Sequence, residues 1–188
     1  MADPADSLLD LTVRDLLDSV AARTPAPGGG GVAALVTAMA AGLTAMAARF
    51  GDGAVAERAD ELRAVAAPLA DADAAAYGGF LAAVRRPRDD PGRAEAVARA
   101  RADTIAVPVV IADVAGEVAG LAADLVLNGN PHLRGDAAAA VHLAAAAAAT
   151  AAELLAANAK GEQGIAERDR AREIAATARG LADQVDRD

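Results

Sequence analysis

Alanine makes up 58 of the 188 residues of this chain, and this feature narrows the possible folds more than any other. Alanine has the highest intrinsic helix propensity, whereas half-buried strands need β-branched and aromatic residues. Only 2% of the residues are aromatic. The sequence therefore predicts an all-α fold, and its length fits a single domain spanning residues 1–188.

Breaks in the apolar periodicity divide the chain into an antiparallel bundle of five to six helices, some of them long. Thr12 and Asp136 are expected to act as N-caps, and Pro68 and Pro108 to kink the helices that contain them. The predicted helices span residues 12–22, about 32–49, 54–85, 93–127 and 137–158, with a polar sixth helix after the glycines at 161–164 that ends near 185.

Charge, cysteine content and the N-terminal sequence argue against nucleic-acid binding, thiol chemistry and secretion. With 18 basic and 27 acidic residues, the chain carries a net charge of −9 and has only one lysine, which argues against a nucleic-acid-binding surface. The absence of cysteine excludes disulfides and thiolate chemistry. The start, Met-Ala-Asp-Pro-Ala-Asp, is acidic and lacks the basic region of a secretory signal, so we expect a cytoplasmic protein.

Two uncharged stretches, residues 24–48 and 137–152, raise the question of a membrane. Both consist mostly of alanine and glycine, which are far less hydrophobic than a leucine-rich span, so no membrane association is expected. The second and fifth predicted helices are apolar on nearly all sides and should be covered on every side. In a chain of this size, such coverage favours a homodimer, most commonly with twofold symmetry.

A run of glycines, Gly28, Gly29, Gly30 and Gly31, follows Pro27 and precedes an alanine-rich helix. Backbone N–H groups at such a helix start, unhindered by Cβ atoms, can hold an anion or a developing negative charge. No strand precedes the run, which argues against a dinucleotide-binding fingerprint. The alternative interpretation is a flexible connection between two helices.

Asp73 shares one face of the predicted third helix with Tyr77 and Phe80, at i+4 and i+7, whereas Asp71 points to another face. A carboxylate beside apolar surface has its ionised form disfavoured and can exchange protons near neutral pH. This spacing makes Asp73 a candidate for acid–base chemistry. A solvated helix face is the alternative interpretation.

A polar segment, Asn128-Gly129-Asn130-Pro131-His132, is followed by Asp136 and, one helix later, by Asn158. The amide and carboxylate groups of Asn130, Asp136 and Asn158 could bind the donor and acceptor edge of a heterocycle. Asn-Gly and Asn-Pro also form turns, and Asp is a common N-cap. The two histidines lie ten residues apart with no carboxylate at ligand spacing, so no metal site is predicted.

A small basic cluster, Arg85, Arg86 and Arg88, ends the predicted third helix. Such a cluster could hold the anionic tail of a substrate. It is also what a solvated helix end contains.

Taken in order, these segments resemble the cyclodeaminase domain of the formiminotransferase-cyclodeaminase family and its stand-alone relatives, including methenyltetrahydrofolate cyclohydrolases. The family pattern is a Pro-Gly-Gly-Gly-Ser loop, an Asp-x-Asp segment with a following aromatic, a Val-Pro, a Gly-Asn turn and an Asp. The matching positions here are Pro27 to Gly31, Asp71 and Asp73 with Tyr77, Val107-Pro108, Gly129-Asn130 and Asp136, with Asn158 in the following helix.

The resemblance implies an all-helical dimer that acts on a one-carbon adduct of tetrahydrofolate without a metal. In the cyclodeaminase reaction, N10 closes on the formimino carbon at N5 and ammonia leaves. The cyclohydrolase opens the resulting 5,10-methenyl ring with water. The family assigns proton transfer to the aspartate that matches Asp73, while Pro27, the three glycines, Tyr77, Asn130, Asp136 and Asn158 are implied to bind the substrate.

Several positions differ from the family pattern. Gly31 replaces the serine after the three glycines, and Gly135 replaces a serine before Asp136. Leu154 replaces an asparagine four positions before Asn158, and Gly51-Asp52-Gly53 replaces a basic stretch. These differences leave open an alternative in which the chain is a catalytically degenerate member that binds a small molecule or a partner as a helical dimer.

Overall fold

The structure, a computed structural model, describes residues 7–159 and 161–187 and confirms the all-α prediction. The acidic start at residues 1–6 and the lone lysine, Lys160, lie outside the described residues. Within them there is no strand. The helices are α1 (Val13–Ala21), α2 (Gly29–Ala48), α3 (Gly53–Ala66), α4 (Leu69–Arg85), α5 (Arg93–Asn128), α6 (Arg134–Asn158) and α7 (Gly161–Val185), with short 3₁₀ turns at Leu8–Asp10 and Pro131–Leu133.

Side-chain caps mark where two of the helices begin. The Thr12 hydroxyl accepts a hydrogen bond from the N–H of Asp15 at 3.2 Å and caps α1 as expected. Asp52 caps α3 in the same way, through the N–H groups of Ala54 and Val55. Asp136 does not cap α6, because the 3₁₀ turn at 131–133 leads directly into a helix that begins at Arg134. Asp136 instead lies in the first turn of α6, where a negative charge complements the helix dipole.

The prolines act differently from each other. The predicted third helix is two helices, since α3 ends at Ala66 and α4 begins at Leu69. Pro68 cannot donate the backbone hydrogen bond that would continue α3, and it serves as the N-terminal residue before α4. Pro108, in contrast, is accommodated within the 36-residue helix α5.

The core of the bundle is built mainly from alanine. Helices α2 and α6 are antiparallel, since the start of α2 meets the end of α6 at Gly29 and Leu154. Helix α6 also packs on α5 and α7. Alanine side chains let these helix axes approach closely, so the buried leucine, isoleucine and valine side chains are few and include Ile111, Val118, Val141 and Leu155.

The prediction that α2 is covered on every side is wrong for the single chain. Met39, in the middle of α2, is 58% exposed, and half-buried apolar side chains continue along the same face. We call this face the α2 stripe; it comprises Val32, Leu35, Val36, Met39, Leu43 and Met46. Helix α6 also has a face open to solvent, at Ala139, His142, Ala146 and Thr150.

Three helical segments are long and apolar enough to cross a membrane by length and composition alone: Gly29–Ala48, Arg93–Asn128 and Pro131–Asn158. Between 44% and 61% of the most apolar part of each segment is buried inside the bundle. Packing against other helices therefore accounts for a large part of this apolar character.

Candidate functional site

Asp73 and the glycine run, which lie more than 40 residues apart in sequence, are in direct contact. Gly28 is the N-terminal residue before α2, and the next three glycines form the first turn of that helix. The first N–H groups of a helix have no partner within it. One of them, the N–H of Gly31, donates a hydrogen bond to Oδ2 of Asp73 at 3.0 Å.

Gly30 makes this contact possible because it has no side chain. A Cβ atom at position 30 would lie 2.0 Å from Oδ1 and 2.4 Å from Cγ of Asp73, far inside van der Waals contact. The first turn of α2 is thus shaped so that the carboxylate of α4 lies directly against its backbone. Gly29 is different, because its nearest neighbour would be Cδ2 of Leu154 at an ordinary 3.9 Å.

The environment of Asp73 has two opposing effects on its pKa. Partial burial raises the pKa above its usual value by disfavouring the ionised form, and the hydrogen bond from Gly31 lowers it by a smaller amount. The net effect is a raised pKa. The sequence-based expectation of a carboxylate in a partly apolar setting therefore agrees with the structure.

Asp71 has a different role from Asp73. Its carboxylate accepts hydrogen bonds from the hydroxyl of Ser7 at 2.5 Å and from the N–H of Leu8 at 2.8 Å. These bonds attach the N-terminal segment to the start of α4. The contact of Ser7 with Asp71 was not predicted, since a bond spanning 64 residues has no local sequence signal.

Tyr77 lies one helical turn after Asp73 on the same face of α4 and is 42% exposed. At the end of α6, Leu154 contacts the glycine run, and Asn158 follows one turn later as a half-buried last residue of the helix. Pro27 also borders the site, because its Cβ would lie 3.7 Å from a Cβ at Gly31. One end of the bundle thus brings together Asp73, the glycine run, Pro27 and the end of α6, with Tyr77 beside them on α4.

Asn130 and Asp136 lie at the opposite end of the bundle within one chain. Asp136 is in the first turn of α6 and Asn158 is its last residue, so about 33 Å of helix separates them. Asn130 lines a groove of about 720 Å³ beside the end of α2, together with Ala47 and Phe50. Its Oδ1 accepts a hydrogen bond from the N–H of His132 at 3.0 Å. The resemblance implies that both residues bind the same substrate as Asp73, but within a single subunit they lie at the other end of the bundle from Asp73.

The described residues contain no group of three or more His, Asp or Glu side chains that could hold a metal ion. At the Asp73 site a carboxyl group lies against the backbone N–H of Gly31, and a carboxyl group held in this way can take up and release a proton.

The fold and site define a class of all-α proteins in which a carboxylate on one helix is held by the glycine-rich start of another. The model of the formiminotransferase-cyclodeaminase family matches residues 12–180. The chain therefore belongs to the formiminotransferase-cyclodeaminase family.

Two curated relatives and one solved structure illustrate this kinship. The chain is 32% identical over 151 residues to formimidoyltransferase-cyclodeaminase from Sus scrofa, covering 72% of this chain and 28% of the relative. It is 30% identical over 143 residues to the Rattus norvegicus protein of the same name, covering 68% and 26%. The chain thus spans about a quarter of the length of these relatives. A crystal structure of formiminotetrahydrofolate cyclodeaminase from Thermotoga maritima shares the fold, with a TM-score of 0.84, 23% identity and 96% coverage of both chains.

The raised pKa of Asp73 predicts how stability depends on pH. The carboxyl proton of Asp73 is bound more tightly in the folded protein than in the unfolded chain. The contribution of Asp73 to stability therefore increases as pH falls from its folded pKa toward the unfolded value of about 3.9. Asparagine at position 73 keeps an oxygen acceptor for the Gly31 N–H but has no charge. We expect the Asp73→Asn protein to be at least as stable as the parent at pH 7, with its advantage shrinking toward pH 4.

The measurement is urea unfolding of both proteins between pH 4 and pH 7. If the unfolding free energy of Asp73→Asn rose relative to that of the parent as pH falls, the assigned environment of Asp73 would be contradicted.

Proposed function

We propose that this chain is a formiminotetrahydrofolate cyclodeaminase. The observation that carries the proposal is the Asp73 carboxylate, half-buried and held against the backbone of Gly30 and Gly31. The comparisons support the substrate class, since the curated relatives are named formimidoyltransferase-cyclodeaminase and the solved structure is named a formiminotetrahydrofolate cyclodeaminase. The site supplies a group whose raised pKa suits proton exchange.

The reaction requires one proton to move between two nitrogens. N10 of the protonated formimino substrate forms a bond to the formimino carbon, which becomes tetrahedral. Asp73 takes the proton from N10 and delivers it to the departing nitrogen. The carbon–nitrogen bond then breaks, and ammonia and 5,10-methenyltetrahydrofolate are released with atoms and charge balanced.

The glycine run has two roles in this proposal. The N–H of Gly31 orients the carboxylate, and the partial positive charge at the start of α2 stabilises the ionised form that accepts the proton. The serine that the family pattern places at position 31 is absent, but the bond to Asp73 comes from the backbone and does not need a hydroxyl.

A second candidate function is folate binding without turnover, and Leu154 is the observation that favours it. An apolar side chain lies next to Gly29 at a position where the family pattern has an amide. Calorimetry with tetrahydrofolate, combined with an assay for ammonia release, separates the two candidates. Binding without ammonia release would favour the second.

We propose further that the working unit is a cytoplasmic homodimer formed through the α2 stripe. The stripe is a continuous apolar face about 20 Å long, from Val32 to Met46, on a helix that is otherwise buried in the bundle. Around a twofold axis near Met39, two such helices would run antiparallel. The start of one α2 would then lie beside the end of its partner, next to the groove that contains Asn130.

This arrangement predicts a site shared between two subunits. Asp73→Asn and Asn130→Asp are each expected to be nearly inactive; the aspartate at 130 keeps the acceptor for the His132 N–H, loses the amide donors and adds a negative charge. When the two variants are unfolded and refolded together, half of the dimers are mixed. Each mixed dimer has one intact site, which combines Asp73 of one subunit with Asn130 of the other. The mixture should regain about a quarter of the parent activity.

One outcome of the complementation assay would contradict the shared site. If one subunit supplied both residues, every site in a mixed dimer would carry one substitution and no activity would return. Each variant refolded alone is the control. Sedimentation of the parent in detergent-free buffer, as a dimer, tests the oligomeric state and the expected absence of membrane association together.

A further inference from the structure

Phe80 and Arg101 form a stacked pair that the proton-transfer chemistry does not use. The guanidinium carbon of Arg101, on α5, lies 5.3 Å from the centre of the Phe80 ring, on α4. This is the distance of a cation–π contact, and both side chains are half-buried. The pair therefore presents a fixed positive charge beside an aromatic surface rather than a mobile side chain.

The position of the pair relative to Asp73 is set by the geometry of α4. Asp73, Tyr77 and Phe80 lie at i, i+4 and i+7, so they follow one another along a single helix face. Seven residues of helix place Phe80 about 10.5 Å from Asp73 along the helix axis. The Phe80–Arg101 pair is thus at a defined distance from the proton-transfer group.

The tetrahydrofolate molecule has charged and aromatic parts at matching positions. N10, which reacts, is attached to a p-aminobenzoyl ring, and an amide links that ring to glutamate. By ordinary bond lengths the glutamate carboxylates lie roughly 10 Å from N10. A substrate lying along this face of α4 with N10 at Asp73 would therefore place its carboxylates near Arg101 and its aryl ring near Tyr77.

Arginine is suited to binding the glutamate carboxylates because its guanidinium is always protonated and can hold a carboxylate through two parallel hydrogen bonds. Two other arginines near this end of α4 already have acidic partners. Arg86, from the basic cluster singled out in the sequence, is 3.6 Å from Asp90, and Arg99 pairs with Glu95 at 2.6 Å. Asp103 and Glu167 line the same groove of about 600 Å³ as Arg101. Their negative charges would limit how many further substrate carboxylates the groove accepts.

We propose that Phe80 and Arg101 form the subsite for the p-aminobenzoylglutamate end of the folate, with Arg101 pairing with a glutamate carboxylate. This proposal rests on the proposed function and assigns the residue that recognises the substrate tail. It also explains how the chain can hold an anionic tail although the basic stretch of the family pattern is replaced by Gly51-Asp52-Gly53.

The test compares two substrates and two variants. Arg101→Gln keeps the aliphatic stem and removes the charge, and Arg99→Gln removes a neighbouring charge that is paired on the surface. The substrates are formiminotetrahydrofolate and the primary amide of formiminotetrahydropteroate, called the pteroate below, in which an uncharged carboxamide on the aryl ring replaces the glutamate. For the glutamate-bearing substrate, Arg101→Gln should raise KM about 10- to 100-fold with little change in kcat. For the pteroate it should leave KM unchanged, and Arg99→Gln should behave as the parent with both.

An equal effect of Arg101→Gln on both substrates, or no effect on either, would overturn the subsite. Circular dichroism and the melting temperature of each variant check that the fold is retained. Calorimetry with tetrahydrofolate and with the primary amide of tetrahydropteroate gives the same comparison without turnover, so it applies even if the chain does not release ammonia. Failure of the proposed function is therefore distinguishable from failure of the subsite.

Discussion

The Asp73→Asn protein is expected to lose activity by about 10²- to 10⁴-fold in kcat, the range that a positioned general acid or base contributes. Asparagine has nearly the same shape as aspartate, and its oxygen can still accept the Gly31 N–H, so the start of α2 should remain intact. What is lost is the ability to take a proton from one nitrogen and give it to another. The measurement is the rate of ammonia release at saturating substrate, together with the melting temperature.

Asp71→Asn is the matched control for this substitution. Asp71 is two residues away on the same helix, but its carboxylate binds Ser7 and Leu8. We expect this variant to retain kcat within about threefold of the parent, because its carboxylate does not contact the glycine run. Equal losses in the two variants would mean that a general disturbance of α4, and not proton transfer, accounts for the result.

Gly30→Ala is expected to separate activity from stability. A methyl group at position 30 would lie 2.0 Å from Oδ1 of Asp73, so the carboxylate must rotate away and lose its bond to Gly31. We expect kcat/KM to fall about 10- to 100-fold, the cost of displacing a catalytic group by about 1 Å. Stability should change little, since alanine gains roughly 1 kcal/mol of helix propensity and the lost hydrogen bond costs about as much.

Two comparisons test this explanation for Gly30→Ala. Gly29→Ala adds the same methyl group one residue earlier, where the nearest atom is an ordinary 3.9 Å away, and it should retain near-parent activity. In an Asp73→Ala background the clash is absent, so Gly30→Ala should become stabilising. If Gly29→Ala and Gly30→Ala reduce activity equally, the close approach of Asp73 is not the reason for glycine at position 30.

Local patterns in the sequence predicted much of the fold and the grouping of Asp73 with its neighbours on α4. The periodicity of the apolar residues and the alanine content gave the helical class, and the hydroxyl at Thr12 gave the start of α1. The i, i+4, i+7 spacing placed Asp73 with Tyr77 and Phe80 on one face of α4. These features depend on residues within a few turns of each other, which is the range over which helix geometry fixes side-chain positions.

Other features depend on contacts between distant segments. Helix α2 begins at Gly29, earlier than expected, because the glycines gain a partner in Asp73 that favours the helical conformation there. The distance between Asn130 and Asp73 depends on the antiparallel packing of α2 and α6, which places the two ends of α6 at opposite ends of the bundle. Residue spacing does not show how distant helices pack, so the separation of Asn130 from Asp73 within one chain could not be predicted from the sequence.

The most direct test of the proposed activity is the reaction of the purified chain with formiminotetrahydrofolate, followed by ammonia release and by methenyltetrahydrofolate absorbance in the same sample. We expect both products to form in a one-to-one ratio, and the rate of formation of both to fall by about 10²- to 10⁴-fold when Asp73 is replaced by asparagine. Undiminished product formation by the Asp73→Asn protein, or no product from the folded parent, would contradict this expectation.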